Sequence, residues 1–232
     1  MLEAMLMCKK KASGVKGQPD VGYNFDTDRS TGKTAIAVAN LAGNVVAPPV
    51  ALAGYSKALN EGNNNFGITP LTAMDVGTGD FTLEFAFYMT NTTSGYSIMF
   101  FGDNNGIGYE IRFANSGYGD RLQVSLQPGV GNSNFSVKAT RAQLANKWNH
   151  IAFQRSKGKV IVYLNGVKQG LAINTGIDYS VSEQPSAQDI SGTKTLRFGY
   201  TGLAGSAYIP EFAFYKGVKY VADFTPSYPL VK

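Results

Sequence analysis

The stretch KWNHIAFQRSKGKVIVYLNGVKQG, Lys147 to Gly170, decides how this chain is read. It holds the single tryptophan, Trp148, and the single histidine, His150. Trp148, His150 and Ala152 alternate with Asn149, Ile151 and Phe153, so a strand here presents two different faces. SKGK reverses the chain, and VIVYL then sets Val160, Val162 and Leu164 against Ile161 and Tyr163. Asn165–Gly166 is the strongest short hairpin signal, because a type I′ turn needs positive φ at both central residues. VKQG opens a third strand. The segment is an antiparallel meander.

His150 has two readings. As a general base or metal ligand it would need partners. No Ser, Cys or Asp near it stands in a nucleophile motif, and no second His exists for a metal cluster. A hydrogen-bonded structural His beside a core Trp148 is the reading adopted.

The rest of the chain agrees with an all-β protein. Aromatics make up 12% of it, Gly numbers 27, and no long segment carries a 3.6-residue apolar period. DFTLEFAFYMT (80–90) places Phe81, Leu83, Phe85, Phe87 and Met89 on one face and Thr82, Glu84, Ala86 and Tyr88 on the other. YSIMFFG (96–102), GYEIRFA (108–114) and DRLQVSLQ (120–127) follow as strands between Gly and Asn turns. TRAQLAN (140–146) reads as a short helix or turn, and KTLRFGY (194–200) and AYIPEFAFYKG (207–217) as late strands. The polar stretch 174–192 reads as a surface loop.

Three regions separate. Residues 1–22 form a basic N-terminal arm, with Lys9, Lys10, Lys11 and Lys16 supplying much of the +5 net charge. Residues 23–54 read as edge strands and a connector, since Pro48 and Pro49 exclude a central strand. Residues 55–232 form a β-sandwich, with 23–232 as the wider extent of the same domain. The arm's apolar run precedes its lysines, the reverse of a secretory leader, and is too short to span a bilayer. Cys8 is alone, so no disulfide framework forms within one chain. No recognition helix or stacking-aromatic motif accompanies the lysines, so neither nucleic-acid binding nor membrane insertion is expected.

Three ordered segments carry a resemblance. WNHIAFQR…GKVIVYLNGV resembles the centre of laminin-G-like and pentraxin-like domains of the concanavalin A-like lectin/glucanase group, with Trp148, His150, Tyr163, Asn165 and Gly166 as the matching motif. MDVGTGDFTLEFAFYM (74–89) is similar to that group's early strand, with Phe87 near the usual Trp position. YIPEFAFYKGVKYVADFTPSYPL (208–230) looks like its closing strand and tail as found in bacteriophage virion proteins, where a basic residue and Tyr precede an Asp-Phe-Thr-Pro run. Here these are Lys219–Tyr220 and Asp223–Pro226. The resemblance implies an antiparallel β-sandwich of the concanavalin A-like jelly-roll type with an N-terminal arm.

Function is bounded by the same residues. Glucanases of this fold use a strand-borne Glu-x-Asp-x-x-Glu cluster. None of the six glutamates (Glu3, Glu61, Glu84, Glu110, Glu183, Glu211) stands two or three positions from another carboxylate on a strand. Glu84 and Glu211 read as sheet residues with a hydrogen-bond or charge partner. No catalytic residue and no cofactor is expected. GDNNGIGYE (102–110) offers Asp103, Asn104 and Asn105 as oxygen donors; Asp103 and Asn105 are Ca²⁺ candidates, though the same residues suit any turn. Loop aromatics and amides at Tyr96, Asn104, Asn105, Asn115, Tyr118, Asn132, Asn134, Tyr179 and Tyr200 suit a glycan, with Tyr96, Asn104 and Tyr118 as the named contacts.

The function expected first is therefore a non-enzymatic bacteriophage virion protein, a head-decoration or tail component made in the host cytoplasm. It would attach to other virion proteins through residues 1–22, as a homo-oligomer. The alternative is a carbohydrate-binding receptor-recognition protein of the tail-fibre-tip kind, and glycoside hydrolysis comes third.

Overall fold

The computed structural model describes residues 17–38, 41–60, 66–68, 72–90, 96–102, 107–113, 120–128, 133–173, 176–186, 188–192, 195–198 and 207–231. The strands are β1 (Val21–Asn24), β2 (Arg29–Ser30), β3 (Val45–Val46), β4 (Ala58–Asn60), β5 (Phe66–Ile68), β6 (Phe81–Met89), β7 (Tyr96–Gly102), β8 (Ile107–Phe113), β9 (Arg121–Pro128) and β10 (Ser133–Thr140). After a one-turn helix α1 (Arg141–Leu144) come β11 (Trp148–Ser156), β12 (Lys159–Leu164), β13 (Val167–Lys168), β14 (Leu171–Ile173), β15 (Gln184–Pro185), β16 (Thr195–Phe198), β17 (Ala207–Ile209) and β18 (Glu211–Tyr215). Thr140 caps the helix: its Oγ1 accepts from Gln143 N–H while the Gln143 side chain accepts from Thr140 N–H, a capping box.

Two antiparallel sheets form the sandwich expected from the sequence. The first runs β13-β12-β11-β6-β17-β4-β3, with β18 also on β6 and β1 on β18; the second runs β14-β10-β9-β8-β7-β16-β5. Phe81, Leu83, Phe85, Phe87, Ile151, Phe153, Val160 and Val162 of the first meet Tyr109, Ile111, Leu122, Val124, Leu126, Phe135 and Val137 of the second in one core. Rings cross the gap, as where Phe81 meets Tyr109 edge-on at 4.5 Å. Each such large apolar side chain contributes about 1.5–3 kcal/mol by leaving water. Arg155 also points inward and is fully buried. Its guanidinium donates to the carbonyls of Gly77, Gly79 and Gln188, lacing the loops at one end of the core.

Two expectations need correction. The arm boundary at residue 22 falls inside β1: Val21 is fully buried and pairs with Phe214, and Gly22 pairs with Ala213. Val21, Tyr23 and Phe25 are all buried at a period of two, so the strand starts before the boundary. Residues 1–16 lie outside the described residues. Trp148, in turn, is no core residue. It is half-buried on the outer face of the first sheet, against Tyr88 at 5.6 Å, and its Nε1–H donates to the Val50 carbonyl at 2.8 Å. Its ring ties down the Pro48–Pro49 connector.

The expected cost order follows. Trp148→Ala should lose about 1–2 kcal/mol, a hydrogen bond and part of a contact surface. Ile151→Ala, on the core side of the same strand, should lose about 2–5 kcal/mol. Urea midpoints of the two variants check this, and a larger loss for Trp148→Ala would return the ring to the core.

Candidate functional site

Strand β6 is buried along its whole length, so its outward side chains are covered too. The cover is the C-terminal segment 218–231, and the sheet's outward residues satisfy its backbone groups. Thr82 Oγ1 donates to Gly217 O and accepts from Lys219 N–H; Gln154 Nε2 donates to Tyr220 O. Phe224 N–H donates to Gly166 O at 2.9 Å, and Asp223 Oδ1 accepts from Lys168 N–H at 2.8 Å, so the segment is fastened to the Asn165–Gly166 turn. The Phe224 ring stacks on Tyr220 at 3.6 Å and meets His150 edge-on at 5.6 Å.

Glu84 is the centre of this clamp, and it is fully buried. One oxygen accepts from Lys219 Nζ; the other accepts from the Tyr220 hydroxyl at 2.5 Å and faces His150 Nε2 at 3.2 Å. Burial alone would raise its carboxyl, but the His150 hydrogen bond and the Lys219 charge outweigh that and hold it below the usual carboxylate range. An ionised carboxylate only accepts, so His150 carries its proton on Nε2. Its Nδ1 is buried with no hydrogen-bond partner among the described residues. The Tyr220 and Tyr215 hydroxyls are pushed up by burial and by the Glu84 charge.

Glu211, on the neighbouring strand, accepts from the Tyr55 hydroxyl and from Leu230 N–H at 2.9 Å. Burial raises its carboxyl, as does the charge on Glu84. Both family-strand glutamates thus serve as buried anchors for the C-terminal segment. A pocket of about 660 Å³ opens beside them, lined by Tyr215, Lys219, Tyr220, Phe224 and Thr225 among others.

The outer face of the second sheet is different in kind. Its central strands carry alternating polar residues that hydrogen-bond across the strands; Gln123, Ser125 and Ser136 are buried, while Arg112 and Asn134 keep part of their surface in solvent. Arg112 Nε donates to Gln123 Oε1 at 3.3 Å, and Gln123 Nε2 donates to Ser136 Oγ at 2.9 Å. Ser125 Oγ donates to Asn134 Oδ1, and Arg112 pairs with Glu110 at 3.3 Å. The register explains the alignment: Arg112 and Ser136 both stand opposite Gln123, and Glu110 and Asn134 both stand opposite Ser125. The result is a ladder of amide, hydroxyl and guanidinium groups running across β8, β9 and β10. At one end, Arg121 lies over the Tyr179 ring at 5.3 Å.

His150 and Glu84 therefore meet, as do Tyr163, Asn165 and Gly166 around the same segment. Asn165 and Gly166 have φ of 53° and 80°, as a type I′ turn demands. The Asn165 side chain also accepts from His150 N–H at 2.7 Å. Asp103, Asn104, Asn105 and Tyr118 lie outside the described residues, and of Tyr96 only its place in β7 is described. Asn134 and Tyr179, two of the loop residues suited to a glycan, come to the ladder face. Arg112, Gln123, Ser125 and Ser136 were missed, because polar alternation on one strand does not reveal that three strands align it. Among the described residues no group of three or more His, Cys, Asp or Glu is placed to hold a metal ion. No helix among them is long and apolar enough to cross a membrane.

Known proteins place this geometry. The binding domain of botulinum neurotoxin serotype D superposes with a TM-score of 0.63 at 11% identity, covering 90% of this chain and 48% of that one. The binding domain of botulinum neurotoxin DC in complex with SialylT gives 0.60 at 15% identity, covering 87% and 48%. Domain 4 of AbnA, a GH43 extracellular arabinanase from Geobacillus stearothermophilus, in complex with arabinotriose, gives 0.56 at 15% identity, covering 89% and 96%. The chain thus spans about half the length of the neurotoxin chains and nearly all of the arabinanase domain. No curated protein matches the sequence. A laminin G family model, described as Concanavalin A-like lectin/glucanases superfamily, matches residues 60–218, and the chain belongs to that superfamily.

Proposed function

We propose that this chain is a non-catalytic binding module that takes a glycan along the outer face of the seven-stranded sheet. The partly exposed guanidinium and amide of the polar ladder, Arg112 and Asn134, held by the buried Gln123 and Ser125, carry the reading. Sugars are recognised through dense, directional hydrogen bonds to vicinal hydroxyls, and preorganised amides and guanidinium groups supply them at little entropic cost. The solved relatives support the class of ligand, since two of them are complexes with SialylT and arabinotriose. Glu84 and Glu211 favour binding over hydrolysis. Glycosidase chemistry needs two carboxyl groups flanking an accessible bond, whereas both of these are fully buried and hold the C-terminal segment.

The setting we propose is the surface of a bacteriophage particle, as a head-decoration or tail component. The closing run Lys219–Tyr220 and Asp223–Pro226, similar to that of virion proteins, supports it. Attachment to neighbouring virion proteins, with the chain in a homo-oligomer, would use the residues before Val21.

A glycan array on the intact protein, followed by titration calorimetry, tests the binding reading. Arg112→Ala removes a half-exposed member of the ladder and should weaken binding about tenfold, equivalent to ~1.4 kcal/mol, with melting little changed. An array on which the intact protein binds nothing sinks the reading. Reducing-sugar release from a bound oligosaccharide would make the chain an enzyme. Mass spectrometry of purified particles tests the setting, and its absence from them would remove that part alone.

A further inference from the structure

Arg121 opens β9 on the same outward face as Gln123 and Ser125, about 7 Å from Gln123 by the two-residue repeat of a strand. Its guanidinium lies 5.3 Å from the centre of the Tyr179 ring, and its Nη1 donates to the Tyr179 hydroxyl. The loop that carries the tyrosine is pinned to β14. Leu171 N–H donates to Val181 O at 2.8 Å, and Asp178 Oδ1 accepts from Ser180 N–H at 2.9 Å. Gly170 lets the Tyr179 carbonyl approach so closely that a Cβ there would sit 1.9 Å from it. Arg121 is thus tied through Tyr179 to this loop at the end of the ladder.

The charges around it are otherwise matched. Arg112 has Glu110 at 3.3 Å, and Asp120, the sequence neighbour of Arg121, is engaged by Arg141 at 2.8 Å. Asp178 turns back onto its own loop. Among the described residues Arg121 has no carboxylate within ion-pair distance. A guanidinium offers five N–H donors, and the bond from Nη1 to Tyr179 uses one of them. The N–H groups of Nε and Nη2 form the fork that takes both oxygens of a carboxylate at once.

We infer that the glycan is acidic: a carboxylate-bearing sugar, a uronate or sialate, whose carboxylate seats on Arg121 while its hydroxyls meet Arg112 and Asn134, the ladder members that keep solvent-facing surface. The inference rests on the glycan-binding reading. Calorimetry with two matched pairs tests it: oligogalacturonate against its carboxyl-reduced form, and sialyllactose against lactose.

At least one acidic member should bind ten times more tightly than its neutral partner, and less tightly as salt rises. Arg121→Gln should abolish that preference, and Arg121→Lys should restore only part of it, because an ammonium lacks the fork. Thermal melting of each variant shows that the fold is retained. Equal affinity within both pairs, or a preference that survives Arg121→Gln, overturns the inference while leaving a neutral-glycan module standing. Failure to bind any member, or any glycan on the array, removes the binding reading and this inference with it.

Discussion

Gly166→Val should cost at least about 3 kcal/mol and most of the soluble yield. Two independent constraints meet at this residue. Its φ of 80° is disfavoured for any residue with a Cβ, most of all a β-branched one. A Cβ there would also lie 1.9 Å from the Phe224 carbonyl oxygen and 3.0 Å from Pro226 Cδ. The substitution therefore strains the turn and pushes off the C-terminal segment, whose Phe224 N–H bonds the Gly166 carbonyl. Gly166→Ala should be nearly as damaging, since the clash begins at Cβ. Chemical denaturation of both variants measures it. Wild-type stability in Gly166→Ala would mean that the segment does not lie on the turn.

Glu84→Gln should lose about 3–5 kcal/mol, the usual result of breaking a buried charged pair from one side. The amide keeps the shape but cannot serve Lys219, Tyr220 and His150 together, and its NH₂ would face one of the three donors. The effect has a pH signature. The folded Glu84 carboxyl lies below its ordinary value, so its contribution is full above that value and is lost as pH falls through the folded one. Glu211 runs the other way. Its raised carboxyl favours the protonated form, so its contribution is present in acid and fades as pH climbs from the ordinary value through the raised one. Urea midpoints between pH 3 and 7 should fall at the acid end in the wild type. In Glu84→Gln that fall should be shallower. Parallel curves would mean that Glu84 is not ionised in the clamp.

Much of the scaffold was legible because alternation and turn chemistry are local. The inward set of β6, the bounds of β7 and the Asn165–Gly166 turn are readable from a few residues each. AYIPEFAFYKG reads as one strand but is two, β17 and β18, divided at Pro210. Strand β10 hid behind turn-forming Ser and Asn residues, although Phe135 and Val137 alternate into the core. Trp148 was misplaced for a physical reason. When both faces of a strand are covered, alternation shows that two faces exist but not which one is the core. That cover comes from the chain's far end: the partners of Glu84, Lys219 and Tyr220, lie about 135 residues away in sequence. The ladder demanded more still. Gln123 and Ser136 look like any solvent-facing positions until the register sets them side by side.

The central claim, that glycan recognition belongs to the ladder and the clamp is structural, is tested most directly by chemical-shift mapping. The isotope-labelled protein would be titrated with the oligosaccharide that binds best. The account predicts saturable shifts at Arg112, Gln123, Asn134, Ser136 and Tyr179, with Lys219, Tyr220 and Phe224 unmoved. Shifts confined to Tyr215, Lys219, Tyr220 and Phe224 would contradict it and move the site to the pocket beside Glu84.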